Sequence, residues 1–337
     1  MSEGQIKTAE DFRDYVFRSI FEDVGLSSGV SEGAGIHIGI VDSVYTPPVW
    51  AKQEYDIYNR RSTIEEEIDR FEVEHGMEVF DILRRIVPRA RFSFYQTIRR
   101  DGRAGVSNFT EAIELAINDG VDLLNLSFGA PNQIPAKASP YYPPIEKALD
   151  SDILPIAAAG NLEYEDGPKK YVYAPANLPG VVAVGGSETL CPEDPPGDPR
   201  MTTKGPYQFN LDSEETLYCS HRGCVDETPC IRNNVVRAWP ENTKPYNGKP
   251  DVLAPAHFPS KVSNSSVEDV DVKVGSSYAA PIVTGAIARA LCETDTETSE
   301  ILDSIQDILH ESGRRVDDFP AKKLDSYNLQ RRIESSV

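Results

Sequence analysis

A serine hydroxyl becomes a nucleophile only when a neighbouring base takes its proton and a third group holds that base in place. Ser277 is the candidate nucleophile: it lies in GSSYAAP, 275–281, ahead of Ile282, Val283, Ala286, Ile287, Ala290 and Leu291, which recur at helical spacing. A helix from about 277 onward, with Pro281 in its first turn, sets the positive end of a helix dipole and the Ser277 amide beside any oxyanion formed on an attacked carbonyl. His75 and Gly76 open a second helical pattern, with Val79, Phe80, Leu83 and Ile86 on one face, and His75 is the candidate base. Asp42 ends the apolar run Ile36 to Val41, which reads as a buried strand, and is the candidate orienting carboxylate. Asn161 follows Gly160 at the end of another apolar run, Ile153 to Ala159, where its side-chain N–H can reach an oxyanion from the side opposite the serine amide. Taken singly, each residue has an ordinary reading. Asp42 can cap a turn, His75 can be a half-buried histidine at a helix start, Ser277 can be a helix N-cap, and Asn161 can accept a left-handed backbone.

Seven segments follow one another in a telling order: VDS at 41–43, HG at 75–76, NLSFG at 125–129, AAAGN at 157–161, APANLPGVVAVGG at 174–186, KPDVLAP at 249–255 and GSSYAAP. Together they resemble the subtilase family, the subtilisin-like serine peptidases, over about residues 36 to 291. The chain order Asp, His, Ser is the one used by subtilisin itself. The resemblance implies that Asp42, His75 and Ser277 are the triad and Asn161 the oxyanion residue. It also implies that Ser127, Phe128 and Gly129, with Gly160, bind an extended peptide or protein substrate by strand addition. The activity implied is a serine endopeptidase working through an acyl-enzyme. Two other classes stay open: a catalytically silent subtilase-fold protein that binds peptides or partners, and a peptide ligase or cyclase in which an amine replaces water.

The chain departs from the family pattern at Val44 (usually glycine), at Met77 and Glu78 (commonly threonine and histidine) and at Ser276 (usually threonine). Glu78 lies three residues from His75 on the expected helix, close enough for its charge to raise the histidine's pKa. The activity requires no cofactor. Relatives often carry structural calcium, but no oxygen-rich loop of recognisable spacing is present, and no metal site is assigned.

The elements that must position these residues alternate along the first half. Strands at 36–41, 90–95, 121–127 and 153–159 interleave with helices at 75–87, 108–119 and 143–150. Such a series implies an α/β fold with a central, mostly parallel sheet flanked by helices, the three-layer subtilisin-like architecture. Asp42, Ser127 and Asn161 then fall at the carboxyl ends of strands, where working residues gather in such sheets. Residues 1–35 read as an N-terminal extension packed on the catalytic domain, with an amphipathic helix at 8–22 turning Phe12, Val16, Ile20 and Phe21 inward. A self-inhibitory role for the first 30 residues is the other reading. Residues 36–337 form the peptidase domain, with surface insertions near 187–217 and 225–247. From Thr298 to Ile333 the pattern reads as two helices flanking the polar stretch Glu311 to Phe319.

With 34 basic against 54 acidic residues the net charge is −20, which disfavours nucleic acid as a partner. Acids spread along the whole chain fit either an ordinary acidic protein or one adapted to a high-salt cytoplasm. No secretion signal is visible and no apolar run is long enough to cross a membrane, so a cytoplasmic location without membrane partners is expected. Oligomeric state is not legible. Cys219, Cys224 and Cys230, with His221 between them, have the residue types of a zinc site but not the spacing of a standard finger or knuckle; thiols in an insertion are the other reading.

Overall fold

Strands whose residues are apolar on both faces must be covered on both faces, and the chain achieves this with helices on each side of one sheet. A computed structural model describes residues 9–26, 32–43, 54–64, 75–99, 104–130, 136–161, 172–190, 209–211, 217–219, 235–238, 249–261, 270–316 and 319–336. Its main strands are β1 (His37–Asp42), β2 (Asp56–Ser62), β3 (Arg91–Gln96), β4 (Leu123–Leu126), β5 (Leu154–Ala158) and β6 (Val182–Leu190). Two short hairpin strands, β7 (Phe209–Leu211) and β8 (Leu217–Cys219), and β9 (Val235–Ala238) follow. The last five are β10 (Val252–Pro255), β11 (His257–Lys261), β12 (Val270–Val274), β13 (Arg314–Val316) and β14 (Phe319–Lys323). The helices are α1 (Ala9–Asp23), α2 (His75–Ile86), α3 (Val106–Asp119), α4 (Tyr142–Leu149), α5 (Ser276–Thr294), α6 (Thr298–Ile301), α7 (Ile305–Ser312) and α8 (Ser326–Ser336).

The central sheet runs β13-β14-β10-β6-β5-β4-β1-β3-β2, with β9 also pairing β6. Every pair from β14 to β2 is parallel, and only β13 and β9 join antiparallel. This is the mostly parallel, helix-flanked sheet that the sequence implies. Alternate residues of each strand serve opposite layers, as the pleat requires. Ile38, Ile40, Phe92, Phe94, Ile156 and Val184 join the core beneath α1, α2 and α5. Val41, Tyr95, Leu124, Leu126, Ala157 and Ala183 join the core beneath α3 and α4.

Two expectations are corrected and one strand is new. Residues 314–316 and 319–323 form strands β13 and β14, and β14 extends the sheet parallel to β10, where the sequence suggested a polar stretch from Glu311 to Phe319 leading into a helix. Asp56–Ser62 adds an unanticipated strand beside β3. Pro281 lies in the second turn of α5 rather than its first, so its missing N–H leaves the Ser277 carbonyl without the usual intrahelical donor.

Helix α1 is seated by both packing and charge. Val16, Phe17 and Ile20 are buried in the core, and the Phe17 ring meets Phe258 edge-on at 5.6 Å. Arg13 pairs with Asp81 at 2.6 Å and donates to the Pro259 carbonyl at 3.0 Å, while Arg85 reaches Asp14 at 2.6 Å and Glu10 at 3.0 Å. The extension therefore bears directly on α2, the helix that begins with His75.

Helices α2 and α5 approach closely because residue 285 is glycine: a methyl placed there would come within 2.9 Å of Ile86 Cγ2 and 3.0 Å of its Cβ. Ile86 is β-branched and stiff, so relief requires the helices to part. Gly285→Ala is expected to lower stability by about 1–2 kcal/mol, since overpacking outweighs the gain in helix propensity. The midpoint of urea unfolding measures it, and an unchanged or raised midpoint would show that the helices separate without penalty.

Candidate active site

β1 delivers Asp42 to the carboxyl edge of the sheet with its side chain fully buried. A buried carboxylate must be hydrogen-bonded, and this one is bonded through its own neighbour. Ser43 donates to Asp42 Oδ1 twice, from its amide at 2.6 Å and its hydroxyl at 2.9 Å. The Ser43 hydroxyl in turn accepts from the Gly76 amide at 3.1 Å, one of the donors left unmatched at the start of α2. One small side chain thus ties the strand end to the helix start, and that tie presents His75 to Asp42. His75 Nδ1 lies 3.0 Å from Asp42 Oδ1 and 3.1 Å from Oδ2. With Nδ1 donating to the carboxylate, Nε2 is the ring atom left to accept a proton.

Burial of the His75 imidazole works against its protonation, but the charge of Asp42, the hydrogen bond to it and the charge of Glu78 outweigh this, with Lys273 opposing them. The result is a pKa above the ordinary histidine value of 6.5. The sign expected from the sequence for Glu78 is the one found.

The second half of the site is built where α5 meets the end of β5. Gly275 is extended, its amide bonded to the Ala256 carbonyl at 2.9 Å, and the helix begins at the next residue. Ser276, which the sequence marked only as a departure from the usual threonine, works as a latch. Its hydroxyl accepts from the Gly160 amide at 3.1 Å and lies 3.0 Å from the Gly160 carbonyl and 3.1 Å from Asn161 Oδ1. Its amide donates to Asn161 Oδ1 at 2.9 Å. Because that oxygen is held by Ser276, the Asn161 side chain must turn its NH2 the other way. A methyl on Gly275 would lie 3.2 Å from Asn161 Nδ2 and 3.3 Å from Ser277 Oγ, so the amide donor and the hydroxyl border the same small space.

The two halves touch through Tyr278, whose ring centroid lies 5.6 Å from that of His75. Among the described residues no hydrogen bond joins His75 Nε2 to Ser277 Oγ; such contacts commonly tighten only when substrate binds. Deeper in, Asn125 joins α5 to the sheet, accepting from Thr284 at 3.1 Å and donating to the Ser127 hydroxyl at 2.8 Å. Ser127 is buried, so its side chain is not open to solvent, while Phe128 packs edge-on against Phe109 at 5.8 Å. Gly129 and Gly160 both face Tyr173: a methyl on Gly160 would fall 2.5 Å from its ring, and one on Gly129 would fall 2.8 Å from its Cβ. The Tyr173 hydroxyl donates to the Asn161 carbonyl at 3.0 Å.

Of the departures from the family pattern, Met77 packs against the core, Glu78 is tied to Lys273 and Tyr278, and Val44 lies outside the described residues. The suspected zinc group also lies outside them, apart from the backbone of Cys219. No group of three or more His, Cys, Asp or Glu placed to hold a metal occurs among the described residues. No helix described is long and apolar enough to cross a membrane.

The model of the subtilase family of peptidases matches residues 66–318, three quarters of the chain. Asp42 precedes that span, so its assignment rests on the motif and on its contact with His75. The fold resembles that of the prenylagaramide maturation protease PagA, with a TM-score of 0.60 and 15% identity over 95% of this chain and 99% of that one. The patellamide maturation protease PatA aligns with a TM-score of 0.57 and 18% identity over 90% and 98%. A cold-adapted subtilisin-like serine proteinase aligns at 0.54 and 15% over 88% and 90%. These identities carry the fold alone. No curated protein sequence matches the chain.

Proposed function

The chain belongs to the subtilase family of serine peptidases, and from that premise we propose that it cuts internal peptide bonds with Asp42, His75 and Ser277 as the triad and Asn161 as an oxyanion donor. The observation that carries this reading is the convergence at Gly275 of Ser277 Oγ and the Asn161 amide nitrogen, with His75 held by Asp42 alongside. His75 Nε2 takes the Ser277 proton as Oγ adds to the peptide carbonyl, and Asp42 stabilises the imidazolium. Asn161 Nδ2 and the Ser277 amide stabilise the oxyanion; a donor of this kind is worth about 3–4 kcal/mol in the transition state. His75 then gives its proton to the leaving amine, and water regenerates the serine by the same route in reverse.

Ser127, Phe128 and Gly129 supply the backbone edge on which an extended substrate adds as a strand, with Gly160 close to the attacked residue. Tyr173 fills the corner beside both glycines, which favours a small side chain at the attacked carbonyl. A silent binding protein is disfavoured because Met77 and Glu78 serve packing and pairing, and neither replacement removes a group the cycle uses. The likeness to PagA and PatA, both maturation proteases, supports a precursor peptide as the substrate.

Incubation with a mixed peptide library, followed by mass spectrometry, tests the reading. New carboxyl termini carrying one added water, enriched after small residues, are expected. Products joined to an added amine would instead indicate acyl transfer, and an unchanged library would remove the peptidase assignment.

A further inference from the structure

Helices α2 and α5 begin with His75 and, one residue before Ser277, with Ser276, so relative movement of their first turns changes the distance from base to nucleophile. A hydrogen bond spans those turns: the Tyr278 hydroxyl donates to Glu78 Oε2 at 2.7 Å. Both residues are buried, at 5% and 7% exposure, and the other Glu78 oxygen meets Lys273 Nζ of β12 at 2.5 Å. A carboxylate buried to this degree is retained only with charge and hydrogen-bond partners, and here both partners come from other elements. The Tyr278 ring is wedged between the His75 imidazole, at 5.6 Å, and Phe258, on which it stacks at 5.2 Å and 14°. Phe258 is backed by Phe17 of α1, so the wedge is supported through to the N-terminal extension.

We propose that Glu78, Tyr278 and Lys273 form a positioning unit for the triad, in which the Tyr278–Glu78 hydrogen bond holds His75 in register with Ser277 and the Glu78–Lys273 pair sets the charge behind the imidazole. The inference rests on the peptidase reading and adds to it three residues outside the triad and the oxyanion site. The ionisable groups facing His75 are Asp42 from β1, Glu78 from its own helix, Lys273 from β12 and Tyr278 from α5. Glu78 favours the imidazolium and Lys273 opposes it. Removing either charge must therefore shift the histidine in opposite directions, whereas loss of packing alone has no such sign.

Three variants separate the contributions. Glu78→Gln leaves the lysine charge unbalanced, and the acid limb of kcat/KM is expected to move to lower pH by about one unit, with kcat on the plateau falling about tenfold. Lys273→Gln is expected to move the limb to higher pH. Tyr278→Phe keeps the ring and all charges, so kcat falls about tenfold with the limb unmoved and KM little changed. Limbs that do not move, or that move the same way in Glu78→Gln and Lys273→Gln, would overturn the proposal, as would a Tyr278→Phe enzyme with parental kcat. If Glu78→Gln fails to fold, the doubly neutral Glu78→Gln/Lys273→Gln takes its place, with a limb near the parental position and reduced kcat expected. Titration of His75 by NMR in the same proteins gives the shifts without turnover. A parent enzyme that hydrolyses nothing would sink the peptidase reading, while the opposite shifts of His75 would still test the coupling.

Discussion

Replacing Ser277 with alanine is expected to lower kcat by about a millionfold while KM and the melting temperature stay near parental values. The structural argument lies in the contrast between two adjacent serines. Ser276 is buried and its hydroxyl and amide together bond the Gly160 peptide and Asn161. Ser277 is half-exposed, and among the described residues its hydroxyl makes no hydrogen bond. Alanine at 277 is therefore expected to remove the proposed nucleophile and leave the architecture intact, whereas alanine at 276 would release the Asn161 side chain from its fixed orientation. With the nucleophile gone, the oxyanion donors still lower the barrier for direct attack by water, so a residual rate of about 1,000- to 10,000-fold over the uncatalysed reaction is expected. A fluorophosphonate probe gives the direct readout: the parent is labelled and Ser277→Ala is not. A Ser277→Ala protein that still labels and turns over at the parental rate would move the nucleophile elsewhere.

The residues of this site were legible in the sequence to the extent that each sits where a local pattern changes. Asp42 ends an apolar run, His75 begins an amphipathic one, Asn161 follows a strand and Ser277 lies in the first turn of a helix, and the structure places each near such a boundary. The parallel sheet was legible for a related reason: strands buried on both faces, such as HIGIVD and LPIAA, can be nothing but covered. Among the strands the sequence did not mark, DIYNRRS forms one edge of the central sheet, and RRV and FPAKK lie at the other. Their charged residues suit an edge, where polar side chains suppress unwanted pairing, and so they erase the apolar signal that marks a central strand. The supporting residues were hidden for a different reason. Lys273 and Glu78 meet across a separation of 195 positions, and Ser276 reaches Gly160 across 116. No local periodicity encodes such meetings. Only Ser43 had a short-range clue, since it follows Asp42 directly and its bond to Gly76 closes the same loop that brings in His75.

That loop leads to the second large effect, for Asp42→Asn. The substitution keeps size and shape, yet the surroundings decide which way the new amide faces. In the parent, Oδ1 accepts from both the amide and the hydroxyl of Ser43. A backbone N–H cannot reverse its role, so the asparagine oxygen must take that position, 3.0 Å from His75 Nδ1, and its NH2 must occupy the place of Oδ2, 3.1 Å from the same nitrogen. In competition with the remaining oxygen, which accepts from Nδ1–H in the working tautomer, the NH2 turned toward the ring favours the tautomer with the proton on Nε2 and Nδ1 as acceptor. Nε2 is then unable to take the Ser277 proton. The ring also loses the negative charge that holds its pKa above 6.5 and stabilises the imidazolium during attack. Loss of the correct tautomer in this arrangement costs about 10,000-fold in kcat. The same reasoning fixes the control: Asp42→Asn with Ser43→Ala frees the amide from its Ser43 hydroxyl contact but not from the backbone donor, so no recovery is expected. Steady-state kinetics, with fluorophosphonate labelling rates as a second readout, check both variants. A single Asp42→Asn variant within about tenfold of the parent would show that His75 keeps its working tautomer without the carboxylate, and would remove Asp42 from the triad.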